Sequence, residues 1–130
     1  MKYIPAIIVT IVILIVVSIP GQKLPQTSFS GMDKAAHLLF FCSWSLAVQF
    51  GFSIRHRWTW ILAIGLVFGV STEVLQIFAK DRSTDILDLL FDTLGLALAA
   101  WSGPTLMPIA ERIWPLSKWA ASEKKILRND

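Results

Sequence analysis

Four apolar stretches, separated by short polar breaks, run through a chain of 130 residues. They cover about Tyr3 to Ile19, Ala35 to Ile54, Trp58 to Ala79 and Ile86 to Trp101, and a continuation of the last past Gly103-Pro104 stays open. A helix needs about 20 apolar residues to cross a bilayer core, so the second and third are long enough and the first is slightly short. No alternating strand pattern is present, which leaves helices as the spanning solution. The expected fold is therefore all-α: a polytopic membrane protein with a compact bundle of four transmembrane helices. Its domain is expected over residues 1–103. Residues 104–130, punctuated by Pro104, Pro108 and Pro115, are expected to form an amphipathic or partly disordered cytoplasmic tail.

Composition agrees with this class. The chain is 55% hydrophobic and only 16% charged, too little polar residue to cover a soluble core of this size. Its Phe and Trp residues suit lipid contacts and interfacial belts. The net charge is +3, and the basic residues crowd the C-terminal end, which suits a membrane surface and gives no case for nucleic acid. Lys2 followed by an apolar run also resembles a signal peptide, but no clear small-x-small end follows, so an uncleaved first helix is expected. With four spans, Lys2, Arg55, Arg57, Arg112, Lys118, Lys124, Lys125 and Arg128 fall on one side. Lys23, Lys34, Lys80 and Arg82 fall on the other. The more basic side faces the cytoplasm, so both termini are expected there, in a bacterial inner membrane.

The informative residues are those that interrupt the apolar runs. Asp33 and His37 are four apart and share a face at the start of the second helix. Gly65, Gly69, Thr72, Glu73 and Gln76 form one stripe on the third helix, and Asp85, Asp88, Asp92, Gly95 and Ala99 another on the fourth. By depth, the polar parts of all three stripes end in the same leaflet, which the charge count makes the outer one. A carboxylate at the bilayer centre costs about 2.5–3.5 kcal/mol on insertion scales, so Glu73 and Asp92 are expected to face each other inside the bundle. Gly65 and Gly69 are spaced to let a neighbouring backbone come close. Asp33 and Asp85 also suit N-caps. Cys42 reads as packing alone.

Five acids with few cations must take up protons, bind a cation or meet a cationic ligand. Glu73, Asp88 and Asp92 are the candidate metal ligands, and an oxygen-rich set with one His suits a hard divalent cation better than zinc. Arg82 is a candidate anion-binding residue.

The succession Asp33-Lys34-x-x-His37, Glu73-x-x-Gln76-x-Phe78, Arg82-Ser83-x-Asp85-x-x-Asp88 and Asp92-Thr93-x-Gly95 resembles the VanZ-like family, small membrane proteins named for a teicoplanin-resistance protein. The resemblance spans roughly residues 30–100. The family usually has Asn at the position of Asp92, so this chain carries an extra carboxylate there. What the resemblance implies is a cell-envelope protein that bears on antibiotic susceptibility; it assigns no reaction. Four functions stay open on the residues: a pocket for a lipid, glycan or glycopeptide headgroup; a metal- or acid–base-dependent hydrolase or transferase on a lipid-linked substrate; proton or cation translocation; and a structural subunit. Membrane lipids and a lipid-linked or glycopeptide ligand are the expected partners, and the oligomeric state stays open.

Overall fold

A computed structural model of the chain describes residues 3–20, 31–52, 58–79 and 85–113. It contains four helices: α1 (Ile4–Ser18), α2 (Met32–Phe52), α3 (Trp58–Phe78) and α4 (Ile86–Ile113). Helix α3 and the Ile86–Ala110 part of α4 are long and apolar enough to cross a membrane. At 15 residues α1 is apolar but shorter, about 22 Å of rise against a core of about 30 Å. Helix α2 has the length, but it spends residues on Asp33, Lys34, His37, Ser45 and Gln49. The structure thus has the four helices expected, and two of them are long and apolar enough to span.

The boundaries differ from the sequence reading in two places. Helix α2 begins at Met32, so Asp33 sits within its first turn and does not cap it. Gly31 precedes the helix with φ 146°, a conformation that side chains rarely adopt, and its carbonyl accepts from Ala35 N at 2.9 Å. Helix α4 does not stop at Trp101. It continues through Pro104 and Pro108 to Ile113, although neither proline can donate to the carbonyl four residues back. The remainder of the expected tail lies outside the described residues.

Helices α2 and α4 make the most extensive pair, followed by α3 with α4 and α1 with α2. A residue with a side chain at Gly95 would meet the Leu38 carbonyl oxygen and come 2.9 Å from Cys42 N, so α2 and α4 touch backbone to backbone there. Gly103 lies one face-length further on, beside the Gln49 amide. Gly95, Ala99 and Gly103, four apart, therefore form the close-packing face of α4. Gly65 and Gly69 do something else. They receive side chains, Leu96 at Gly65 and Leu89 with Asp92 and Phe41 at Gly69, and not a neighbouring backbone. Bulky side chains from α4 already occupy the space between the two helices.

Helix α1 docks through Ala6, Ile13 and Val17 onto a core with Phe41, Trp44, Val48 and Leu96. Trp44 stacks on Phe68 with centroids 5.2 Å apart, and its Nε1 donates to Thr10 Oγ1 at 3.0 Å. Phe41 and Trp44 are thus core residues and not lipid contacts or belts, because each is held between helices. Trp58, Trp60 and Trp101 do lie exposed, and Ile7, Ile8, Ile11, Val67, Ile77, Leu90 and Leu98 extend the apolar exterior.

Candidate functional site

Two of the three polar stripes meet as a ladder. Helices α2 and α4 start at the same end of the bundle, and α3 finishes there. Lys34 and His37, three apart, share one face of α2. Asp85, Asp88 and Asp92 present the matching stripe at the start of α4. Lys34 Nζ donates to Asp85 Oδ2 at 2.7 Å and to Asp88 Oδ1 at 3.2 Å. One step deeper, His37 Nε2 lies 3.8 Å from Asp88 Oδ2, and Nδ1 lies 2.9 Å from Asp92 Oδ1. Each basic residue bridges two acids, and each successive acid is one turn further into the bundle.

Exposure falls along the ladder. The side chains of Asp85 and Lys34 are 39% and 26% exposed, whereas Asp88 and Asp92 retain 4% and 1%. At the rim, Asp85 caps α4: its Oδ1 accepts from Leu87 N at 2.9 Å while its other oxygen takes Lys34. The Lys34 ammonium first, and the Leu87 N–H second, hold the Asp85 carboxyl below its ordinary range.

Helix α3 closes the third side. Thr72 and Gln76 are buried, and Thr72 Oγ1 donates back to Gly69 O at 2.7 Å. Glu73 reaches the inner part of the ladder, where ligand atoms of His37, Glu73 and Asp92 lie within 4.8 Å of one another. Two buried oxygens there, Glu73 Oε1 and Asp92 Oδ2, have no hydrogen-bond partner among the described residues. Asp33 is exposed, yet one of its oxygens falls within the same distance of ligand atoms of His37 and Asp88. Arg82, with Lys80 and Asp81, lies outside the described residues.

Two members were not singled out in the sequence. Lys34 reads in the sequence as a loop charge, a motif residue and one of the cations that offset the acids, yet it ties the rim together; its three-residue spacing from His37 is the available signal. Gln49 lies deeper on α2 and also reaches α4, donating to Ala99 O at 3.0 Å. An amide inside an apolar run was the available signal. Such interhelical bonds contribute on average about 0.6 kcal/mol in a membrane protein.

The stripes of α2, α3 and α4 that carry these residues all fall within residues 3–107, which match a family model described as VanZ/LLP1. The chain belongs to the VanZ/LLP1 family. No curated protein and no solved structure matches it significantly. The VanZ/LLP1 match takes in α1, all of the ladder and α4 as far as Met107.

Proposed function

We propose that this VanZ/LLP1 protein crosses the bacterial cytoplasmic membrane four times, with both termini inside. In this reading the charged end of its bundle receives the polar headgroup of an envelope lipid, glycan or glycopeptide. The graded ladder carries the reading. Its partly exposed rim offers Lys34 to an anionic group, and its buried floor offers carboxylate oxygens to hydroxyl or amine donors. Fastening helices together would not require acids left without donors, because a half-satisfied buried network costs more than an apolar one. The apolar exterior of α1, α3 and α4 supports placement in lipid.

The experiment compares a deletion strain complemented with wild type, Glu73→Gln or Asp88→Asn. Envelope lipids and glycan precursors are profiled beside a panel of glycopeptide and lipopeptide antibiotics. The expected result is an altered profile or susceptibility with normal amounts of protein in the membrane. Unchanged profiles and unchanged susceptibility throughout the panel would sink the reading.

One observation favours a second function, an acid–base enzyme on a lipid-linked substrate. His37 paired with Asp92 and flanked by Glu73 is a set that can hold and pass a proton. A precursor that accumulates in the Glu73→Gln strain would favour this reading over simple binding.

A further inference from the structure

The ladder leaves its innermost atoms unused. Asp92 is 1% exposed, and among the described residues its Oδ2 has no hydrogen-bond partner. Glu73 Oε1, from the facing helix, is in the same condition. A buried carboxylate oxygen without a donor calls for a proton or a cation.

Ligand atoms of His37, Glu73 and Asp92 lie within 4.8 Å of one another. Three donors, each about 2.0–2.4 Å from a common ion, fall within roughly 4.8 Å of each other. The geometry points to a divalent cation site formed by His37 of α2, Glu73 of α3 and Asp92 of α4, suited to an ion of the Mn²⁺ type. Two carboxylates balance the charge of a divalent ion. One imidazole beside two oxygens suits Mn²⁺, which accepts both, better than thiolate-seeking metals or calcium.

The imidazole is also set up for the task. With Nδ1 on the ion in place of a proton, Nε2 carries the remaining hydrogen on the side of Asp88 Oδ2, 3.8 Å away. That carboxylate stands behind the ring as an electrostatic neighbour, beyond hydrogen-bond distance. Lys34 holds that carboxylate from the other side. Three protein ligands leave coordination positions for an oxygen of a bound headgroup, so the inference rests on the reading of this cluster as a ligand site. Asp33, His37 and Asp88 also fall within reach of one ion, but Asp33 is exposed and Asp88 already accepts from Lys34. No orphaned oxygen belongs to that second set among the described residues.

The test titrates Mn²⁺ alone into the purified full chain in detergent, followed by electron paramagnetic resonance. Wild type is expected to hold one Mn²⁺ per chain with a spin-echo modulation from a directly bound imidazole nitrogen. Glu73→Gln and Asp92→Asn are each expected to weaken binding by at least about tenfold, and Asp33→Asn by less than about twofold. Absence of a saturable site or of the nitrogen signal in wild type would overturn the inference, whatever the variants do. So would binding that is lost in Asp33→Asn and kept in Glu73→Gln. Mn²⁺ binding with an unchanged envelope profile would leave the cation site standing and remove the headgroup reading; an altered profile without Mn²⁺ binding would do the reverse.

Discussion

Asp85 does two jobs at one position, capping α4 with one oxygen and accepting Lys34 with the other. Both require the ionised carboxylate, so its pKa in the folded chain lies below the ordinary value of 3.8. A carboxyl depressed on folding contributes stability above its unfolded value and loses it as pH falls through the folded value. Asp85→Asn is therefore expected to lower the thermal midpoint in detergent at pH 6 to 7. The gap from wild type should close as pH falls below about 3.8. A gap that persists unchanged to pH 3 would mean that the pair contributes nothing through its charge. At the same scale, the Lys34 and His37 spacing was readable in the sequence, whereas the partners of each were not. Asp33 shows the limit: its place four residues before His37 marked it as part of the site, but the helix starts earlier and leaves it exposed at the margin.

Between elements, a glycine matters according to what faces it. At Gly95 the neighbours are Leu38 O and Cys42 N of α2, backbone atoms that cannot turn aside. At Gly65 they are the Leu96 methyl carbons, 2.5 and 2.6 Å from an added Cβ, which a rotamer change can move. Gly95→Ala should therefore force the α2–α4 pair apart and cost about 1–3 kcal/mol, the usual range for overpacking. Gly65→Ala should cost less, because its contacts are side-chain methyls, while the return of up to about 1 kcal/mol of helix propensity is common to both variants. Thermal unfolding of the two variants in the same detergent checks the order, and equal losses would contradict it. The wider consequence falls on the ladder. Separation of α2 from α4 would pull Lys34 and His37 off their acids, so Gly95→Ala should also weaken any ligand bound there.

For the whole molecule, the proposed topology puts the charged end of the bundle outside and both chain ends inside. On a Cys42→Ala background, Ser83→Cys is expected to react with a membrane-impermeant maleimide in intact cells. Ser122→Cys should react only after the membrane is opened. The reverse pattern would invert the molecule, and labelling of both from outside would mean that α4 does not span. The arrangement has a physical logic. Lipid gives no hydrophobic drive between helices, so close packing and polar contacts must hold the bundle. In this chain both lie on one face of α2 and α4, with the charges at one end and the Gly95, Ala99 and Gly103 surface below them.

The sequence alone determined the class, the helix positions to within a few residues at most ends, and the family. Apolar length, the cost of buried charge and the order of the polar motifs are all local properties, and they can be read along the chain. The C-terminal end of α4 was not legible, since prolines usually stop a helix and the close packing of α2 against α4 is a tertiary fact. Nor was the division of labour among the glycines, because spacing says that a face is flat and not what lies against it. The same holds for the acids. The sequence required Glu73, Asp88 and Asp92 to avoid lipid, and only the packing of three helices decided that Asp88 would meet Lys34 while Asp92 and Glu73 each kept a buried oxygen without a partner among the described residues. Burial and pairing depend on residues more than fifty positions apart, as Lys34 from Asp88 and His37 from Asp92.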